Sequence, residues 1–286
     1  MHYDREAYWR QLHQEHAGSL DAVGYPELGR GYNEITYAIR LGAAERILRR
    51  GHCDPRNLLE GAVGVGAYGG LWKKLGVQRW VGLDLSEDAV ERLRRRFTAD
   101  VFVQFDLTTG EDGLRDAVQG ELFDLVTGVD VLYHLTDEHH FAEALAALAS
   151  RVTPGGALLL SDVFVDAPVQ IARHVLRRPM ASYEAILGPR GFALAEREPV
   201  FAILGDPVPR RGIHWADVVL TVIWRLTSKL IRTVPGELRD TVGRTLARAL
   251  TPIDDVLKRS GWFQGANLEL ALFRRVSGLK PGVPGR

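Results

Sequence analysis

An α/β fold built on an open, largely parallel sheet is what this chain of 286 residues predicts, and three observations predict it. Asn57 to Ser86, NLLEGAVGVGAYGGLWKKLGVQRWVGLDLS, reads as strand, glycine-rich turn, helix, strand and acidic residue, the order of a βαβ unit. Two further short apolar runs follow, Val101 to Phe105 and Leu122 to Thr127, each preceded by a helical stretch. Ala157 to Asp162 then supplies a fifth strand behind a proline-glycine turn, TPGG.

The βαβ unit carries the chemistry. Asn57 to Glu60 form an apolar run that ends in a carboxylate, and glycines at 61, 64 and 66 let the backbone approach a ligand because no Cβ stands in the way. Leu71 to Leu75 begin the crossover helix. Trp80 to Leu83 form the second strand, with Asp84 at its carboxyl end and Leu85 beside it; there an open α/β sheet places its ligands, and a carboxylate can accept both hydroxyls of a ribose. Gly64, Gly66 and Gly69 satisfy G-x-G-x-x-G, with Asp84 about 20 residues further on, so a nicotinamide-dependent dehydrogenase is one reading. In that motif the strand runs straight into the first glycine. Here Glu60 closes the strand four residues before Gly64, and a carboxylate at that point suits a cationic ligand. The stretch resembles the E/D-x-G-x-G-x-G motif of class I S-adenosylmethionine-dependent methyltransferases, carried by Glu60, Ala62, Gly64 and Gly66, with Ala62 in place of the family's first glycine.

The resemblance covers about residues 30 to 200 and the last strand. It implies a Rossmann-like, mixed seven-stranded sheet with helices on both faces and the last strand antiparallel, S-adenosylmethionine as cofactor, and methyl transfer as the reaction. Taken in order, residues 4 to 16 predict a polar helix and residues 33 to 50 an amphipathic one, with Ile35, Ile39, Ala43, Ile47 and Leu48 near one face. GSLDAVGYPELGRGY between them predicts a loop. By resemblance residues 1–52 form a helical cover over the cofactor's methionine end, with Tyr37 and Arg40 against its carboxylate; read from the residues alone, Arg40 is a solvated helix charge and Tyr37 a core contact. Ser86 caps a helix that runs to about Phe97, with Glu87 and Asp88 in its first turn. Asp106 ends the third strand, and by resemblance it accepts from the adenine amino group while the Leu107 N–H reads a ring nitrogen. Read locally, Asp106 caps the following turn. After a short helix around Leu114 to Val118 and the fourth strand, FDLVTGVDVLYHLTDE matches the family's post-strand segment, which places Gly128 and Val129 beside the sulfonium. Asp137 and Glu138 open the next helix.

Beyond the fifth strand, Pro168 to Leu176 and Ser182 to Leu187 predict helices, GFALAEREPVFAIL a sixth strand from Gly191, and Asn267 to Arg275 the last strand. The expected division is a core of 53–204 and 264–276, an insertion at 205–263, and a flexible tail at 277–286. In the insertion, WADVVLTVIWRLTSKLIR is strongly apolar at helical spacing, and TVGRTLARALTPIDDVLKRS predicts more helix, interrupted at Pro252. Gly205 to Trp262 hold ten Lys or Arg against six Asp or Glu. Three readings stand: a lid over a greasy acceptor pocket, a helix lying on a membrane surface with basic flanks, or a packing layer or dimer contact.

Lys plus Arg equals Asp plus Glu at 36 each, which gives no reason to expect nucleic acid as the partner. One cysteine, Cys53, excludes an internal disulfide and suits a reducing compartment. The opening MHYDREAYWRQLHQEH is too polar for a secretory signal, and no apolar run reaches the length of a membrane span, so the expected location is cytoplasmic, without membrane insertion. If the acceptor is a hydroxyl or an acidic carbon a base is useful, and His134 is the candidate, with Asp130 and Tyr133 orienting it or touching substrate. His139 and His140 point to different helix faces, and His13 with His16 lacks further ligands, so all four are expected at the surface and no metal site is expected. The expected acceptor is a small molecule with substantial apolar surface, such as a natural-product intermediate, with oligomeric state open. A cofactor-assisted reaction without methylation, such as a cyclisation, and a non-catalytic partner subunit share the same motif.

Overall fold

The computed structural model describes residues 4–16, 18–208, 214–260 and 267–276; the expected tail therefore lies outside the described residues. Helix α1 (Arg5–Glu15) starts at Asp4, whose side chain accepts the Ala7 N–H. Helix α2 (Gly29–Arg50) begins four residues before its predicted start, because Pro26 opens a 3-10 turn, Pro26–Leu28, that runs directly into it. Strand and helix then alternate: β1 (Asn57–Gly61), α3 (Gly69–Lys74), β2 (Arg79–Asp84), α4 (Glu87–Arg96), β3 (Val101–Gln104), α5 (Gly110–Ala117), β4 (Phe123–Gly128), α6 (Glu138–Ser150) and β5 (Val152–Asp162). A small hairpin, β6 (Val169–Ala172) with β7 (Val175–Arg177), leads to α7 (Met180–Leu187) and β8 (Phe192–Pro199). Helices α8 (Trp215–Thr233) and α9 (Gly236–Arg259) precede β9 (Glu269–Arg275).

Seven strands form one mixed sheet in the order β3-β2-β1-β4-β5-β9-β8. β1 to β5 pair in parallel, and β9 runs antiparallel to both neighbours. Both faces are covered, which is why the central strands are apolar without alternation. Successive residues of one strand enter opposite cores, as a period of two requires. Leu159 joins Leu58, Leu270 and Leu272 beneath α2, α3 and α4, whereas Leu158 and Leu160 join Leu59, Ala271 and Phe273 beneath α5, α6 and α7.

Two sequence expectations are corrected. Pro168 to Leu176 is not a helix but most of the β6–β7 hairpin; Val169, Ile171 and Val175 are β-branched and pack poorly in a helix, and the pairing of the two short strands outweighs their apolar spacing. Pro252 does not interrupt α9, which continues through it. Pro252 is exposed, so the carbonyl it frees one turn earlier can be solvated while the inner face stays docked.

That inner face explains why α9 holds. An added Cβ at Gly31 of α2 would meet the Asp240 carbonyl oxygen at 1.9 Å, so the two helix backbones approach directly. Asp254, fully buried, accepts the backbone N–H groups of Ala202, Ile203 and Leu204 at 2.8, 2.7 and 3.2 Å and pairs with Lys258 at 3.1 Å. One carboxylate thus fastens α9 to the chain leaving β8. Asp254→Ala orphans three buried donors and part of a buried charge, and should lower unfolding free energy by about 3–5 kcal/mol; equilibrium urea denaturation measures it, with Asp254→Asn losing less.

Candidate functional site

The strand order reverses between β1 and β4, with β2 on one side of β1 and β4 on the other. Ligands of open α/β sheets bind at such a point, outside the carboxyl ends of the strands. A crevice lies there, lined among others by Tyr37, Glu60, Ala62, Gly64, Asp84, Leu85, Asp106, Leu107, Val129, Asp130, Tyr133 and His134. Two sequence candidates stand back from its wall: Gly61 is buried within β1, and Arg40 lies behind Asp130, its Nε donating to Oδ2 at 3.2 Å.

The turn after β1 takes left-handed conformations at Ala62, Gly64 and Gly66, with φ of 57°, 57° and 69°. Ala62 pays for this with a Cβ in a region that glycine occupies freely. Asp84 holds the turn in place: its buried carboxylate accepts the Gly64 N–H at 2.7 Å and the Ser86 N–H at 2.9 Å. Burial raises its pKa, and the facing His13 pulls in the other direction. Glu60 is also buried and accepts from the indole N–H of Trp72 at 2.8 Å. Burial lifts its pKa to about 8, with the Trp72 bond opposing.

Sequence reasoning expected residues 1–52 as a cover but named no residue of α1 at the site. Arg5, Trp9 and His13 line the crevice from successive turns of that helix. Arg5 binds Asp106 Oδ2 at 2.5 Å, and Trp9 stands edge-on to His134 at 4.9 Å between ring centroids. His13 is buried rather than at the surface, and burial lowers its pKa against the pull of Asp84. The i, i+4, i+8 spacing was there to see, but a mostly polar helix gives no signal that this face is covered. Asp106 also caps its own turn, Oδ1 accepting from the Thr108 N–H at 2.9 Å and hydroxyl at 2.8 Å.

Past β4, Asp130 adopts φ 56°. Its N–H donates to Ser161 Oγ at 2.7 Å, and its carboxylate accepts from Ser161 Oγ at 3.0 Å and Tyr133 Oη at 3.3 Å. The Arg177 guanidinium stacks on the Tyr133 ring at 3.8 Å and binds the buried Asp162 at 2.9 Å. His134 Nδ1 lies 2.8 Å from the His174 carbonyl oxygen. A carbonyl only accepts, so Nδ1 carries the proton and the lone pair falls on Nε2. Burial, with Arg177 and His174 adding to it against that hydrogen bond, lowers the His134 pKa to about 3.

Buried donors near this end without a partner among the described residues include Arg40 Nη1, Tyr68 Oη and Arg177 Nε. Tyr37, the other candidate, already donates to the Val23 carbonyl at 2.9 Å. Among the described residues no cluster of three or more His, Cys, Asp or Glu side chains could hold a metal ion.

Parallel strands, a glycine turn and a crevice at the strand-order reversal are the features of a Rossmann-like domain. Residues 59–158 match a family model described as a methyltransferase domain. The E-x-A-x-G-x-G turn lies inside that match, and residues 59–158 accordingly carry a methyltransferase domain. No curated protein matches it. Among solved structures, a putative sarcosine dimethylglycine methyltransferase from Galdieria sulphuraria is 14% identical with a TM-score of 0.54, over 97% of this chain and 100% of that one. The N-methyltransferase NodS from Bradyrhizobium japonicum WM9, in complex with S-adenosyl-L-homocysteine, is 16% identical with a TM-score of 0.49, over 94% and 98%. The nicotinamide reading of the three glycines is set aside.

Glu60 gives a test of this electrostatic arrangement. Its folded pKa, about 8 against an ordinary 4.5, means that the folded state holds the proton more tightly. Its contribution to stability is complete below pH 4.5 and is lost as pH rises through about 8. In urea melts across that range, Glu60→Gln should flatten the decline seen for the wild type.

Proposed function

We propose that the crevice holds S-adenosylmethionine with its ribose on Asp84, its adenine against Asp106 and Leu107, and its methionine carboxylate toward Arg40 and Tyr68. The unpartnered pair Arg40 Nη1 and Tyr68 Oη carries this reading. Two buried donors without an acceptor are costly, and an anionic group entering there relieves both. Glu60 lines the same crevice and favours a cationic centre, which would restore its ionised form. The cofactor supplies, when bound, an electrophilic methyl group on a positively charged sulfur.

The acceptor in this reading is a small, partly apolar molecule, such as a natural-product intermediate, that lies against Trp9, Tyr133, His134 and Leu135. These side chains exclude water and align the nucleophile, and alignment alone can supply about 7–11 kcal/mol. Asp130 fixes this wall through Tyr133, Ser161 and Arg40. With a pKa of about 3, His134 is too weak a base to keep a proton near neutrality. Its Nε2 lone pair instead accepts a hydrogen bond from the acceptor's O–H or N–H and orients it. With one cysteine in the chain, the cytoplasm is the proposed compartment.

The direct test incubates the protein with S-adenosylmethionine and a panel of aromatic and alkyl amines, phenols and carboxylic acids, and reads product mass. A gain of one methylene supports methylation; conversion without that gain would assign a cofactor-assisted rearrangement instead. Asp84→Ala should weaken S-adenosyl-L-homocysteine binding in calorimetry by about 1.5–3 kcal/mol, the value of hydrogen bonds to a charged group; unchanged affinity removes Asp84 from the site. For His134→Gln, kcat/KM should fall about tenfold or less, the worth of one neutral hydrogen bond. The wild-type rate should show no inflection from His134 between about pH 5 and 8. An inflection near neutrality that the variant abolishes would restore His134 as the base.

A further inference from the structure

Helix α8 has two apolar faces, and among the described residues only one is buried. Leu220, Trp224 and Ile231 are buried, with the Trp224 ring 5.0 Å from that of Tyr25. On the opposite side Trp215, Val219, Val222, Leu226 and Leu230 recur every three or four residues and stand exposed, Trp215 at 77% and Leu226 at 64%. At about 100° per residue they fall in one stripe along the helix, and an exposed apolar stripe of this length marks an interaction surface.

The charges select the partner. The exposed charged side chains of α8 are Arg225, Lys229 and Arg232, all cationic and all on one flank of the stripe, while its single acid, Asp217, is buried. Arg232 reaches Glu27 at 2.7 Å; Arg225 and Lys229 make no ion pair among the described residues. A second copy of this chain would bring the same cations to the contact, whereas an anionic surface complements them. Among the described residues no helix is long and apolar enough to cross a membrane, so an apolar stripe with a basic flank suits a helix lying in the interfacial plane. We propose that α8 docks the protein on anionic lipid bilayers, its stripe in the headgroup boundary, the Trp215 ring at the interface, and Arg225 and Lys229 against lipid phosphates. This does not depend on which acceptor the crevice takes.

The test is co-sedimentation of the full chain with vesicles of phosphatidylcholine, alone or mixed with phosphatidylglycerol, alongside light scattering of the protein without lipid. The expected result is a monomer that binds the mixed vesicles and is released by salt. Arg225→Gln with Lys229→Gln should weaken that binding roughly fivefold per charge removed, and Val222→Asp with Leu226→Asp should abolish it at an unchanged melting temperature. Should the double aspartate variant unfold, Leu226→Gln alone carries the comparison. Wild-type protein left in the supernatant with mixed vesicles overturns the proposal, as does binding that the stripe variants leave intact. A dimer that Val222→Asp with Leu226→Asp dissociates overturns it too, since a second copy then covers the face.

Discussion

Asp84 is the tie on which the crevice depends. Its carboxylate joins the turn after β1 to the start of α4 through two backbone N–H groups, Gly64 and Ser86, and each would otherwise be buried and unpaired at about 1–3 kcal/mol. The turn reaches Asp84 only because three residues accept positive φ, one of them an alanine. Burial raises the carboxylate's pKa and the facing His13 of α1 counters it, while α1 itself is fastened over the crevice by Arg5 on Asp106 and by Arg92 on the His13 carbonyl. Fold and site share one interaction here.

The buried charges elsewhere come mostly in matched pairs: Arg40 with Asp130, Arg177 with Asp162, Lys258 with Asp254. Pairing is what makes a charge tolerable in a low-dielectric interior. Some of the mismatches border the crevice, where Glu60 is buried without an ion pair among the described residues and Arg40 and Tyr68 retain donors without acceptors. A protein core leaves such groups unmatched at a cost, and a ligand with opposite polarity at two points removes it.

The core of the fold was legible because its signals are local. Each parallel strand is a short apolar run, and Asp84 and Asp106 mark strand ends with single residues. Long-range choices were not legible. Val169 to Arg177 became a hairpin through pairing of its own strands against the Tyr133 and His134 wall, which apolar spacing cannot distinguish from a helix turn. Arg40 could be placed near the site from its position on α2, but its partnership with Asp130 spans ninety residues of chain. The inward face of α1 was hidden for the opposite reason: Arg5 and His13 are polar, and burial of polar groups is decided by the partners they meet.

The antiparallel strand β9 lies inside the sheet, between β5 and β8, although residues 200–268 separate it from β8 in the chain. During synthesis β8 therefore leaves the ribosome without its neighbour, and at about 5–20 residues per second the wait lasts roughly 3.5–14 s. For that interval β5 also offers an open edge, the kind of surface on which nascent chains stick to one another. The helices made in the meantime provide a shelter: α9, once Asp254 has captured the chain just past β8, brings the ribosome-proximal end back to the gap that β9 must fill.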